Sequence, residues 1–304
     1  MIFQFAIFGP LLPQPLMVHL ESRAVKSCLS LWGNSYSEDL YVETKSKSGV
    51  SVIGLKRKGG FGKRVDLAQG VRVVGFDQEG KILVDDVVGP RHLDGRLEFG
   101  QINTKETWIL GDICAGATCS VGSGRTTIVV TAWPQSGLMP NTTHLNFKFP
   151  FAAWDYNPKI AKIAFASVSP TVTTVGLTST DGGDSPNLKT LELDRLKVGR
   201  IFDVKLIDED RAVAMAGMDA GSGDSIKFSG PAQVILIDFK TSTTYMLGRV
   251  SAVWNRFAML RGNREGAYLD PSGKVQFFKL ALPATTSLKP SARYWMNQSK
   301  LEFQ

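Results

Sequence analysis

The feature that most constrains the fold is a turn that recurs. Three times between Arg200 and Leu280, an apolar residue, an aspartate and a few polar residues lead into an apolar alternation. The first copy is Ile207-Asp208-Glu209-Asp210-Arg211, followed by Val213 and Met215. The second is Ile237-Asp238-Phe239-Lys240-Thr241, leading to Tyr245 and Leu247. The third is Leu269-Asp270-Pro271-Ser272-Gly273-Lys274, leading to Val275 and Phe277. Asp208, Asp238 and Asp270 stand 30 and 32 residues apart. β-Branched and aromatic runs joined by such turns are hairpins, and hairpins at a near-constant interval make an array. The chain therefore reads as all-β: a β-propeller-like array of short antiparallel strands, with a β-sandwich or two β domains as alternatives.

The same grammar runs upstream. Asp77-Gln78-Glu79-Gly80 separates apolar runs at 71–76 and 81–88. Further strands are expected at 28–32, 39–43, 96–102, 107–113, 126–133, 144–149, 160–167 and 171–177, with Gly/Ser/Pro/Asn clusters between them. The total is roughly eighteen strands at the ~8–12-residue spacing of sandwiches and propellers. Helical periodicity is confined to Leu188, Leu191, Leu193 and Leu196, which predict one short helix. Residues 1–26 read as an apolar N-terminal segment, a degenerate signal or a tail. They hold Phe3, Phe5 and Phe8 but no basic residue before Arg23, and Pro10, Pro13 and Pro15 break any helix. Residues 27–304 read as one propeller-like domain, with a weak boundary near residue 105, where Thr104-Lys105-Glu106 interrupts the pattern. No run approaches the ~18 apolar residues of a membrane-spanning helix.

Charge is the next constraint. The net charge is +7, from 35 basic and 28 acidic residues. Residues 45–64 alone carry seven cations and no acid. Within them, Lys56, Arg57, Lys58, Lys63 and Arg64 surround Gly59, Gly60 and Gly62, which predicts an exposed loop or turn able to hold an anion. The block lacks the interleaved aromatics of a single-strand nucleic-acid binder, so nucleic acid is a disfavoured partner. Of three cysteines, Cys114 and Cys119 are spaced to close a small loop in an oxidising compartment, leaving Cys28 over. On that reading a secreted or periplasmic location is favoured.

Ser179-Thr180-Asp181-Gly182-Gly183-Asp184-Ser185 resembles the Asp-box of sialidase-like β-propellers: Ser, any, Asp, any, Gly, any, Ser/Thr, then an aromatic. Here Pro186 stands in the aromatic's place. The resemblance implies a structural turn between outer strands of a propeller blade. Sialidase chemistry would also need three arginines, a tyrosine backed by a glutamate, and an early Phe/Tyr-Arg-Ile-Pro signature. That signature is absent. Arg91, Arg261, Arg264, Tyr268 and Glu265 supply the residue types without matching positions.

Other catalytic motifs fail on spacing. Gly223-Asp224-Ser225-Ile226 imitates a GDS-type esterase block, but His19, His92 and His144 all precede it, and there is no Gly-x-Ser-x-Gly elbow. Ser120-Val121-Gly122-Ser123-Gly124-Arg125 lacks the first glycine and the lysine of a phosphate loop. Cys114 and Cys119 have no second pair for zinc, and Asp181, Asp184, Asp219 and Asp224 read as solvated turns. No catalytic residue, metal or cofactor is therefore assigned. The expected function is a non-catalytic binding or protein-interaction module, with another protein or a glycan as partner and an anionic ligand possible at the basic segment. An extracytoplasmic glycan-active hydrolase on the same fold is the alternative. Convergent carboxylates and arginines in one pocket would favour the latter.

Overall fold

The computed structural model describes residues 16–33, 39–47, 49–56, 60–77, 82–85, 90–92, 106–110, 113–122, 124–134, 141–157, 160–169, 172–180, 188–194, 198–217, 229–254, 256–260 and 264–282. The described residues hold twenty-three strands in five sheets. After β1 (Leu16–Ala24), the chain builds an up-and-down sheet of β2 (Cys28–Trp32), β3 (Asp39–Ser46), β4 (Gly49–Lys56) and β5 (Phe61–Asp66). The next sheet has seven strands. It joins the meander β6 (Arg72–Asp77), β7 (Ile82–Asp85), β8 (Pro90–His92) to the meander β9 (Glu106–Leu110), β10 (Ile113–Gly122), β11 (Arg125–Pro134), β12 (Asn141–Phe147). The join is a short parallel ladder in which Gly75, Phe76 and Asp77 face Thr107, Trp108 and Ile109.

Two further four-stranded sheets follow: β13 (Ala153–Asn157) to β14 (Lys162–Val168), β15 (Val172–Ser179) and β16 (Leu188–Asp194), then β17 (Arg200–Leu206) to β18 (Arg211–Gly217), β19 (Ser229–Asp238) and β20 (Thr243–Val253). The last sheet is β21 (Phe257–Leu260), β22 (Glu265–Leu269) and β23 (Lys274–Ala281), completed by β1 from the other end of the chain.

Apolar packing turns these sheets into a closed ring. Val52 packs with Val73, Ile82 and Val84. The parallel β6–β9 ladder carries the ring onward. Ile128, Leu145 and Phe147 then meet Ile163 and Phe165. Val175 and Leu177 meet Ile201, Val204 and Leu206. Val213 and Leu236 meet Tyr268 and Phe278. Leu269 and Phe277 return to Leu31, Leu40 and Val42. Every sheet thus buries both faces against its neighbours, and the protein is a β-propeller, as the turn spacing led us to expect. The first strand of each meander (β2, β6, β9, β13, β17, β21) lies innermost, and β1, β5, β8, β12, β16 and β20 form the rim.

The aspartate turns explain the sequence repeat. Asp208 Oδ1 accepts the amide of Asp210 (3.1 Å), and Oδ2 accepts Arg211 Nε (2.7 Å) between β17 and β18. Asp238 Oδ1 accepts the amides of Lys240 and Thr241, each at 3.0 Å. Asp270 Oδ1 accepts the amides of Ser272 and Lys274 (2.9 Å each), while Oδ2 accepts Gln276 Nε2 (2.6 Å). Partial burial pushes the Asp270 carboxyl up, but these hydrogen bonds outweigh it and hold the group below the usual carboxylate range. Gly273 closes the same turn at φ 81°, a conformation that favours glycine. Asp77 ends β6, and Asp181 with the rest of the Asp-box-like stretch lies outside the described residues.

A second repeat becomes visible only in the ladders. Three sheets set an aromatic directly across from a glycine on the neighbouring strand: Tyr41 with Gly54, Phe165 with Gly176, and Gly266 with Phe278. The ring lies over the bare backbone, so the glycine gives up a side chain and the aromatic fills its place. The fit is tightest at Gly176, where an added Cβ would stand 2.1 Å from Phe165 Cζ. Phe165 cannot retreat, because it stacks on Phe151 at 4.4 Å and packs against Phe147 and Phe149. Gly176→Ala is therefore expected to cost about 3 kcal/mol, the upper end for overpacking a core. The companion Gly54→Ala, whose Cβ would meet Tyr41 at 3.9 Å, should cost far less. Denaturant melts of the two variants giving equal losses would reject this account.

Three sequence expectations are corrected. First, residues 16–24 are not a tail: β1 pairs with β23 from Leu16–Ala281 to Ala24–Lys274, so the domain begins before residue 27. Second, Leu188, Leu191 and Leu193 lie on strand β16, and Leu191 and Leu193 pack inward while Lys189 and Glu192 are exposed. Leu191 and Leu193 follow the period-two alternation of a strand, not a helical period. Third, Cys114 and Cys119 share the unbroken strand β10. Five residues of strand set their Cα atoms roughly 16 Å apart, whereas a disulfide needs roughly 4.4–6.8 Å. Position 105 itself is outside the described residues, but the β6–β9 ladder joins the segments on either side of it.

Candidate functional site

A group of charges gathers on and beside the inner strands β13, β17 and β21. β17 reads Arg-Ile-Phe-Asp-Val-Lys-Leu, and a bulge at Phe202 breaks its alternation. Ile201 faces Ala216, and Asp203, not Phe202, faces Met215. Without the bulge, Asp203 would share the face of Ile201, which is buried against the preceding sheet. With it, Asp203 comes to the side of Phe202, whose ring stacks on Trp254 at 4.6 Å and 11°.

Asp155 on β13 ties two sheets together. Its Oδ1 accepts Lys205 Nζ at 3.3 Å, and its Oδ2 accepts the backbone amide of Leu206 at 2.8 Å. Lys205 and Asp155 keep 23% and 14% of their side-chain surface, so the pair is sheltered but wetted. Below it the same seam continues: Lys162 Nζ donates to the Glu209 carbonyl (2.5 Å), and Lys189 Nζ lies 3.1 Å from Asp210 Oδ1.

Asp203 differs from Asp155. Burial pushes its carboxyl up to about 7; Lys205 opposes the shift, Asp155 adds to it, and the Val204 amide and Arg256 oppose it. Arg256 immediately precedes β21. Its charge also reaches Cys28 on β2, where burial pushes the thiol up to about 11 and Glu43 adds to the effect. Glu43 in turn accepts Trp32 Nε1 at 3.0 Å. Asp155, Asp203, Lys205 and Arg256 therefore form one electrostatic neighbourhood contributed by three adjacent sheets, and Arg256 also acts on Cys28, beside Glu43, in a fourth. Sequence reasoning missed it. The signal was a charged pair two residues apart inside the apolar run 201–207, but the bulge that aims it inward leaves no mark in the sequence.

The rim carries the second candidate surface. Large exposed apolar side chains include Val18 and Leu20 on β1, Phe61 on β5, Leu188 on β16, and Tyr245 and Met246 on β20. All six stand on outermost strands; among the described residues one more, Val121, is at the β10–β11 turn.

The basic segment spans the end of β4, the connection to β5 and β5 itself. Lys56 ends β4, and Lys63 and Arg64 belong to β5; Arg57 and Lys58 lie outside the described residues. Arg64 has a counter-ion just past the basic block: its Nε is 3.3 Å from Asp66 Oδ1, and its Nη2 donates to Ser51 Oγ at 2.8 Å. The buried Ser51 hydroxyl donates to Asp66, and this bond leads the effects that hold the Asp66 carboxyl below its usual range. Gly223-Asp224-Ser225-Ile226 and the aspartates at 181, 184, 219 and 224 lie outside the described residues. Among the described residues, no three His, Cys, Asp or Glu side chains are grouped to hold a metal, and no helix is long and apolar enough to cross a membrane.

The class of protein that this geometry defines is a β-propeller closed by the pairing of β1 with β23. No family model and no curated protein matches the chain. Solved structures do match in fold. A chain of the mitotic checkpoint complex is similar at TM-score 0.51 and 9% identity, over 92% of this chain and 98% of that one. The β-propeller domain of Cps50 (Swd1) from Myceliophteria thermophila aligns at TM-score 0.46 and 8% identity, covering 86% of this chain and 99% of that one. The WD40 domain of Pan2 from Neurospora crassa aligns at TM-score 0.45 and 8% identity, covering 90% and 97%.

Proposed function

We propose that the protein is a non-catalytic interaction module whose rim docks another protein. The observation that carries this reading is the placement of its exposed apolar side chains. Six of them lie on the outermost strands of four sheets, while the sheet faces behind them are buried. Tyrosine, phenylalanine and methionine are enriched at protein interfaces, and an outermost strand also offers unpaired backbone groups to an added strand. One structural neighbour is a chain of the mitotic checkpoint complex.

The glycan-hydrolase alternative needs two carboxyl groups, one holding a proton and one unengaged. Asp203 holds a proton near neutral pH, but both oxygens of Asp155 are committed, to Lys205 and to the Leu206 amide. The Asp155–Asp203 pair therefore lacks the unengaged carboxylate that hydrolysis needs.

The test is co-purification from the source cells with wild type and with a Phe61→Glu, Tyr245→Glu, Met246→Glu variant. Exposed substitutions typically change stability by less than ~0.5 kcal/mol each, so the variant should melt near wild type. A stoichiometric protein partner present with wild type and lost with the variant is expected. Undiminished recovery by the folded variant, or turnover of a glycan by wild type, would overturn the proposal.

A further inference from the structure

A sheet edge presents a row of unpaired N–H and C=O groups, and proteins guard it with charge, proline, bulges or brevity. The rim strands of this ring are not guarded alike. β8 is three residues long and starts at Pro90. β5 carries Lys63 and Arg64, and β16 exposes Lys189 and Glu192. β1 is bulged at Leu20 and carries Glu21 and Arg23. β20 is bulged at Leu247, carries Arg249 and has Met17 of β1 packed close to Gly248. β12 has none of these devices. Its seven residues, Asn141 to Phe147, include no Asp, Glu, Lys, Arg or Pro, and its register on β11 is unbroken. It ends its sheet, with no described strand beyond it.

The edge is also fixed in strand geometry. Leu145 and Phe147 are buried with Ile163 and Phe165 of the next sheet, and Asn146 Oδ1 accepts Thr127 Oγ1 at 3.0 Å. Such a strand needs little further ordering to pair. What fits it is a strand of the same kind. Because β12 carries no Asp, Glu, Lys or Arg, no register of a β12–β12 ladder sets such like charges opposite each other, which would be destabilising. A charged partner strand, by contrast, finds no counter-charge there. Antiparallel pairing about a two-fold at His144 sets Thr142 opposite Asn146 of the second copy, Thr143 opposite Leu145, and His144 opposite itself. Thr142, His144 and Asn146 share the exposed face, so each Asn146 NH2 comes within reach of a Thr142 hydroxyl, twice by symmetry.

We propose that β12 is a self-association edge: two copies of the chain pair their β12 strands antiparallel about His144 and join two seven-stranded sheets into one. The dimer uses one patch twice and closes on itself, the commonest symmetry of soluble oligomers. It involves none of Phe61, Tyr245 or Met246 and does not rest on the docking proposal.

The experiment is sedimentation of the full chain over about a hundredfold range of concentration, for wild type, His144→Glu, His144→Lys and an equal mixture of the two variants. His144 is exposed, so both variants should fold, which circular dichroism checks. Wild type should dimerise. Each variant alone sets two like charges opposite each other at the two-fold and should dimerise roughly tenfold or more weakly, while the mixture sets Glu opposite Lys and should recover the dimer. The Phe61→Glu, Tyr245→Glu, Met246→Glu variant should dimerise as wild type does, so a failed docking test leaves this one standing. A wild type that stays monomeric, including one that captures a different protein at β12, overturns the proposal. So does a dimer that survives both His144 charges, one that the mixture fails to restore, or one lost in the Phe61, Tyr245 and Met246 variant.

Discussion

Removing β1 is expected to abolish the cooperative unfolding transition. β1 is nine residues long, yet it is the outermost strand of the sheet in which the first and last described strands meet. Its ladder with β23 runs from Leu16–Ala281 to Ala24–Lys274. Without it, the backbone edge of β23 would be unpaired. Met17, 7% exposed, would leave the cluster it shares with Val234, Leu247 and Phe278. Gly248 marks how close that packing is, since a Cβ there would stand 3.3 Å from Met17 Cε. Truncating one buried methionine to alanine typically costs ~2–5 kcal/mol, a large part of the ~5–15 kcal/mol that holds a domain together. Loss of the whole strand should exceed that margin. The shortened protein should bind a hydrophobic dye and lack a sharp thermal transition, and a peptide spanning residues 16–24 added in trans should restore one. A shortened chain that melts as sharply as wild type, at the same temperature, would mean that the ring closes without β1.

The role of β1 also shows where sequence reading reached its limit. Three of the aspartate turns, at Asp208, Asp238 and Asp270, were legible because the carboxylate must meet nearby amides, a constraint that is wholly local. Spacing then exposed the array. The pairing of β1 with β23 is not local. Met17, Val18 and Leu20 look like any apolar stretch, and the partners of Met17 and Val18 lie more than 250 residues away along the chain. The aromatic–glycine pairs were hidden for the same reason: Phe165 and Gly176 become a unit only once the register of β14 on β15 is fixed. Cys114 and Cys119 misled because a small loop and a strand share one sequence spacing, and only the Thr107–Thr131 neighbourhood of Gly116 shows that β10 is a central strand. In the cluster of inner charges, Asp203 and Lys205 were visible as residues, but the bulge at Phe202 that sets their side of the strand is a property of the pairing with β18.

Asp203→Asn is expected to make the protein more stable at pH 8 and to leave it nearly unchanged at pH 4. The folded state raises the Asp203 carboxyl from its ordinary 3.8 to about 7, chiefly through burial. Between those values the folded protein holds a proton that the unfolded chain has released, so stability falls as pH rises through that window and is constant above it. Fully realised, the difference is worth ~4 kcal/mol. Asp203 keeps partial solvent contact, and screening reduces the effect to roughly 2 kcal/mol. Asp270 works in the opposite sense: its lowered carboxyl contributes stability above its ordinary range that is lost on acidification. The wild-type profile therefore mixes the two trends, and the informative quantity is the difference between variant and wild type. That difference should grow from pH 4 to pH 7 and then stay flat. Asparagine keeps the size of the side chain and leaves the Asp155 tie to Lys205 and Leu206 untouched, so the cross-sheet contact should not confound the comparison. Chemical denaturation at half-unit pH steps measures it directly. Parallel curves for the two proteins across the whole range would mean that Asp203 is ionised in the folded ring at pH 5, against the desolvation on which the raised carboxyl depends.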